Sequence, residues 1–146
     1  MAPKRRRRSP AVEDYVKAIY SLAERGTGVA TTNALAERLG VTPPSASSMA
    51  KKLDRLGLAT RIPYRGVRLT PQGEDLALKV LRQHRLLELY LADTLGLHVD
   101  AVHEEADRLE HVLSEELEAK IDSALGYPTH DPHGDPIPNA DLQWPK

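Results

Sequence analysis

The sequence predicts a mainly α fold, with an N-terminal winged helix-turn-helix carrying a short β-hairpin wing and a second helical domain behind it. Three observations lead there. Apolar residues recur at three- and four-residue spacing through most of residues 12–125, the period of helices with one buried face. Between residues 58 and 70 that period gives way to short β-type runs about a turn. The hairpin also stands directly after the third helix, where a wing belongs.

The first helix is expected from Val12, with Tyr15, Val16, Ile19, Tyr20, Leu22 and Ala23 on its apolar side, ending at Gly26-Thr27-Gly28. A second runs from about Thr32 to Leu39 and stops at Gly40. Thr42 is placed to cap a third, with Pro43 as its first helical residue, where the missing N–H costs nothing. Ala46, Met49, Ala50, Leu53 and Leu56 keep the helical spacing until Gly57. Leu58–Ile62 and Val67–Leu69 then flank the turn Pro63-Tyr64-Arg65-Gly66. Thr70-Pro71 opens a long fourth helix to about Leu95, a fifth runs from about Val99 to Leu113, and Ser114 caps a sixth that ends near Gly126. The remainder is proline-rich and aperiodic, and reads as a tail or linker. The expected division is a disordered basic tail (1–10), a DNA-binding domain (11–72), a helical domain (73–128) and the tail (129–146).

Among 146 residues, 40% are apolar and 28% charged, enough apolar material for a core. With no Phe and one Trp, that core must be aliphatic. Cys is absent, which excludes disulfides and thiolate sites and leaves nitrogen and oxygen as donors for any metal. No run approaches the ~18–20 apolar residues of a membrane helix, and a cytoplasmic protein is expected. The net charge of −1 hides an asymmetry. Residues 1–70 hold 14 Lys and Arg against 5 Asp and Glu, whereas residues 71–146 hold 6 against 16 and all six His. A polyanion-binding half joined to a cation-binding half accounts for this distribution.

In the basic half, the third helix presents Thr42, Pro44, Ser45, Ser47 and Ser48 at its N-terminus. Small hydroxyls there allow close approach to bases and phosphates, and the helix dipole favours phosphate. Lys51 and Lys52 follow, and Arg65 stands at the turn of the wing. The partner expected is double-stranded DNA.

In the acidic half, His103, Asp107, Glu110 and His111 fall at i, i+4, i+7 and i+8 of the fifth helix. At about 100° per residue they share roughly 100° of one face. His84 and Glu88 lie one turn apart on the fourth helix. Imidazole and carboxylate without sulfur suit Mn²⁺ or Fe²⁺ and also accept Zn²⁺, Co²⁺ or Ni²⁺.

The segments VEDYVKAIY, AERLGVTPPSASSMAKKLDRLGL, LTPQGEDLA, RQHRLLELYL and VHEEADRLEHVLSEEL together resemble the diphtheria-toxin-repressor family of metal-activated bacterial transcription repressors, over about residues 11–138. The resemblance implies a winged helix-turn-helix followed by a helical dimerisation domain, a homodimer, and binding to a palindromic operator. It also implies a primary metal site of Asp14, Asp107, Glu110 and His111. An ancillary site would use His84, Glu88 and His103, with further donors often supplied by an SH3-like third domain; this chain stops where that domain would begin. Iron-sensing members carry Met and Cys where this sequence has Asp14 and Asp107, and the exchange of sulfur for oxygen favours Mn²⁺. Lys17 replaces a glutamate that short manganese repressors use in a paired-metal site, so separate sites are expected.

His130 and His133 are read as tail residues rather than ligands, and His98 as a surface residue near the start of the fifth helix. The residues left over for a dimer contact are Val102, Leu113, Leu117, Ile121 and Leu125. The function expected is a Mn²⁺-activated repressor of metal uptake, with an Fe²⁺-dependent repressor as the alternative. A metal-dependent hydrolase fits poorly, because nothing supplies a nucleophile or an oxyanion site. No enzyme activity is expected.

Overall fold

The computed structural model describes residues 8–23 and 28–146. The Arg run before residue 8 and the expected helix end at Gly26-Thr27 lie outside them. The chain divides into two compact units, residues 1–77 and 78–146.

The first unit holds α1 (Pro10–Ala23), α2 (Thr32–Leu39), α3 (Pro43–Arg55), β1 (Ala59–Ile62), β2 (Gly66–Leu69) and the start of α4 (Pro71–Asp93). Its helix ends follow local chemistry. Thr31 Oγ1 accepts from Ala34 N and caps α2, and Gly40 ends that helix at a left-handed φ of 66°. Thr42 Oγ1 accepts from Ser45 N at 3.3 Å and caps α3, with Pro43 at its first position. Thr70 Oγ1 does the same for α4 through Gly73 N at 3.1 Å. Val16, Ile19, Leu35, Leu53 and Val67 close the core beneath these helices.

The wing is antiparallel, with Ala59 opposite Leu69 and Ile62 opposite Gly66. It is tied to the segment before α2 by a reciprocal pair of bonds, Ala30 N to Val67 O and Val67 N to Ala30 O, each 2.9 Å. Gly66 makes this approach possible, since a Cβ there would overlap the Ala30 carbonyl oxygen.

The second unit contains the rest of α4, α5 (Val99–Leu109), α6 (Glu115–Ala124) and the tail. Leu86, Leu87, Ala106, Leu113, Ile121 and Ile137 form its core. Arg82 joins α4 to α6 through Asp122 at 2.9 Å and Glu118 at 3.3 Å. Two of the expectations need correction here. The fifth helix ends at Leu109, not Leu113: Glu110 is its C-cap and His111 stands beyond it. Ser114 caps α6 through Leu117 N at 3.1 Å, and the extended backbone that a cap requires forces the chain out of the helix just before it. Of the residues expected to be left for a dimer contact, Val102, Leu113 and Ile121 are consumed by the unit's own core. Leu117 stays exposed as expected, and Leu109 and Val112 are the further large apolar side chains exposed around the α5–α6 turn.

The tail contains no helix or strand, but it is packed. Ile137 is buried, Arg82 Nη1 donates to Pro138 O at 3.1 Å and Arg85 Nη1 to Pro136 O at 2.7 Å. The Arg85 guanidinium also lies over the Trp144 ring, 5.6 Å from its centroid.

Candidate metal centre

Helical spacing does the first work of assembly. His84 and Glu88, at i and i+4 of α4, share a face, and His84 Nε2 lies 2.9 Å from Glu88 Oε1. His103 and Asp107 repeat the pattern on α5, with Nε2 to Oδ2 at 3.4 Å. The two helices bring these pairs together around the His84 ring. Its Nε2 is 3.2 Å from His103 Nδ1. Its Nδ1 is 2.8 Å from Glu110 Oε2 and 3.3 Å from Asp107 Oδ1. His111, on the turn after α5, places Nε2 3.5 Å from Glu110 Oε1.

His84, Glu88 and Glu110 are all buried, so their charges must be compensated locally. Burial alone pushes the Glu88 carboxyl up. The hydrogen bond from His84 and the charges of His84, His133 and His103 outweigh it and hold Glu88 below the ordinary carboxylate value.

Three groups of donor atoms in this unit converge closely enough to share an ion. They are His84–Glu88–His103, His84–Asp107–Glu110 and Glu88–Asp131–His133, each with its atoms within 4.8 Å of one another. The third was not anticipated. The tail carries His133 to Glu88, Nδ1 to Oε2 at 3.4 Å, and buries Asp131, which accepts from His133 N at 2.8 Å and Asp135 N at 2.9 Å. The sequence signal was the close spacing of Asp131 and His133 within a turn-forming stretch, but nothing in it shows which helix the turn returns to.

The donor set passes a physical test for a divalent cation. Glu88 Oε2 and Asp131 Oδ2 are buried with no hydrogen-bond partner. A buried carboxylate oxygen without a hydrogen bond is expensive even with His133 Nδ1 at 3.4 Å from Glu88 Oε2, and a cation shared by the two oxygens would satisfy both. All donors are imidazole nitrogen or carboxylate oxygen, the set expected for Mn²⁺ or Fe²⁺.

Of the other expected residues, Asp14 lies half-buried on α1 of the first unit. His130 is exposed and pairs with Thr129 Oγ1 at 2.9 Å. His98 is the exposed N-cap of α5, accepting from Asp100 N. On the first unit Thr42, Pro44, Ser45, Ser47, Ser48, Lys51, Lys52 and Arg65 are all exposed, as a DNA-reading surface requires.

Comparison with known proteins agrees with both halves. Residues 9–67 match the family model described as the iron dependent repressor, N-terminal DNA binding domain. Residues 70–139 match the iron dependent repressor, metal binding and dimerisation domain. The diphtheria toxin repressor of Corynebacterium efficiens is 41% identical over 126 residues, covering 86% of this chain and 54% of that protein. The iron-dependent repressor IdeR of Mycobacterium tuberculosis is 40% identical over the same length, with the same coverage. A solved manganese-dependent transcriptional repressor in complex with manganese superposes with a TM-score of 0.85 at 45% identity, covering 92% of this chain and 62% of that one. The chain thus spans about half the length of the curated relatives it matches.

Proposed function

The chain belongs to the diphtheria-toxin-repressor family of iron-dependent repressors, and from that membership we propose that it is a metal-activated, DNA-binding transcriptional repressor of metal uptake, most responsive to Mn²⁺. It acts as a cytoplasmic homodimer on a palindromic operator and catalyses no reaction. Among the described residues, no helix is long and apolar enough to cross a membrane. The observation that carries the reading is the gathering of His84, Glu88, His103, Asp107 and Glu110 around one buried imidazole, in a chain whose other unit is a winged helix-turn-helix.

Two metal positions are assigned. Asp107, Glu110 and His111 form the regulatory position, and Asp14 is its fourth donor by the family pattern. His84, Glu88 and His103 form the ancillary position, and Asp131 and His133 are the donors this chain adds to it from its own tail. A bound divalent ion supplies positive charge and directional coordination among these carboxylates. The residues do the rest: Asp14 belongs to α1 of the DNA-binding unit, and were it to hold the ion together with Asp107, Glu110 and His111 it would restrain that unit. Restraining it lowers the entropic cost of engaging DNA, and coupling of this kind typically changes affinity by about 5 to 150-fold. The oxygen donors Asp14 and Asp107 favour Mn²⁺ over Fe²⁺. The iron-dependent names of the curated relatives support Fe²⁺ as the second reading.

The test is fluorescence anisotropy of labelled palindromic duplexes while Mn²⁺, Zn²⁺ or, without oxygen, Fe²⁺ is titrated into the chain. Mn²⁺ should raise DNA affinity, Glu110→Ala should abolish the response and His130→Ala should leave it intact. A full Mn²⁺ response in Glu110→Ala would overturn the regulatory site.

A further inference from the structure

We propose that Tyr64, at the tip of the β1–β2 hairpin, is a DNA-specificity residue: its phenol ring enters the minor groove beside the major-groove site of α3 and selects A·T pairs there. The proposal rests on the reading of this chain as a DNA-binding regulator and adds a reader outside α3.

The backbone of Tyr64 is the first observation. Its φ is 62°, in the left-handed region that glycine and asparagine tolerate and a bulky aromatic residue rarely adopts. The second is what stands at that position: Arg65 N donates to Ile62 O at 3.0 Å and closes the turn after Pro63, a turn whose third residue is normally glycine, and a tyrosine side chain there adds nothing to it. The residue is fully exposed, at 109% of the reference area, so its ring packs on nothing that stabilises the hairpin. Strain at a fully exposed ring points to a role outside folding.

The surroundings identify the partner. Arg61, Arg65 and Arg68 are exposed on the same hairpin, which fits a polyanion. An open groove of about 750 Å³ lies between the hairpin and Thr31, Asn33 and Ser47, with Tyr64 and Arg65 in its lining. Hydroxyls, an amide and a guanidinium are the donors that hold a sugar–phosphate strand, and the one carboxylate in the lining, Asp54, is paired with Arg61 at 3.5 Å. A strand lying there, with α3 in the major groove, presents its adjacent minor groove to the hairpin tip. In that groove A·T pairs offer only acceptors, which the tyrosine hydroxyl can meet, whereas guanine adds a 2-amino group that obstructs the ring. Apolar side chains are commonly inserted at such positions.

The experiment uses the full chain in saturating Mn²⁺ to enrich duplexes from a random-sequence pool. Anisotropy then compares the enriched duplex with copies whose flanking A·T pairs are replaced by G·C or by inosine·C, which lacks the 2-amino group. The wild-type chain should lose about tenfold on G·C, within the usual cost of one mismatched pair, and regain it on inosine·C. Tyr64→Gly should bind all three alike, about tenfold below the wild-type on A·T, without a fall in melting temperature. Arg65→Ala should weaken all three by the same factor, as a phosphate contact does. Wild-type affinity and discrimination in Tyr64→Gly, or indifference of the wild-type chain to inosine, overturns the proposal. Failure to enrich any duplex in Mn²⁺ overturns the DNA-binding reading, and this inference falls with it.

Discussion

Both nitrogens of the His84 ring face carboxylates, Nδ1 at Glu110 and Nε2 at Glu88, at 2.8 and 2.9 Å. A neutral imidazole has one N–H to donate, so a ring donating to both acids carries a proton on each nitrogen. In the metal-free chain two buried acids thus lean on this one ring. Removing one partner of a buried pair leaves the others uncompensated, at a cost of about 3 kcal/mol. His84→Ala should therefore lower stability by about that amount in EDTA, read as a shifted urea midpoint at unchanged slope. An unmoved midpoint would show that Glu88 and Glu110 do not depend on the ring. Metal choice is also set by single atoms. Asp14→Met with Asp107→Cys replaces two hard oxygens by softer sulfur. That double variant should respond less to Mn²⁺ and more to Fe²⁺, Co²⁺ or Ni²⁺ in the anisotropy titration, with the same preferred duplex. A Mn²⁺ response equal to that of the wild-type chain would remove these two residues from the basis of selectivity.

At the scale of elements, the hairpin depends on one close approach. A side chain at Gly66 must push the Ala30 carbonyl away, which opens the two Ala30–Val67 bonds, and the φ of 136° is unsuited to an L residue in any case. Gly66→Ala should cost about 2 kcal/mol in urea unfolding and detach the wing, visible as faster amide exchange at Val67; unchanged protection there would contradict the pinning. This hairpin was legible in the sequence because its signals are local: a change of period, the turn Pro63-Tyr64-Arg65-Gly66 and the Arg within it. The caps at Thr42, Thr70 and Ser114 were legible for the same reason. The end of α5 was not, because Val112 and Leu113 extend the apolar spacing past Leu109 while the cap of the next helix decides where the chain must leave. Within the metal centre, the i, i+4 pairs His84–Glu88 and His103–Asp107 follow from helix geometry. The approach of Asp131 and His133 to Glu88 does not. It depends on Ile137 entering the core and on Arg82 and Arg85 holding the Pro138 and Pro136 carbonyls, contacts across some fifty residues of chain that no periodicity records.

At the scale of the whole molecule, the proposed function requires two copies of the DNA reader held at a fixed spacing, since half-sites on a duplex lie about 34–36 Å apart. The surface available for this on the second unit is the α5–α6 turn, where Val112 is 73% exposed, Leu117 51% and Leu109 37%. Isolated exposed aliphatic side chains are ordinary, but three within nine residues, at the end of α5, on the turn and at the start of α6, favour association. A two-fold contact pairs such a patch with its own copy, so a charge introduced there meets the same charge across the axis. Val112→Asp should sediment as a monomer at concentrations where the wild-type chain is a dimer. Its metal centre, anchored on the buried His84, Glu88 and Glu110, should still bind Mn²⁺ in calorimetry, which separates loss of the interface from loss of the fold. DNA affinity should fall at least about tenfold, because the second half-site is no longer presented at the high effective concentration that linkage provides. A Val112→Asp chain that remains dimeric would place the interface on another face and free the α5–α6 turn for a different partner.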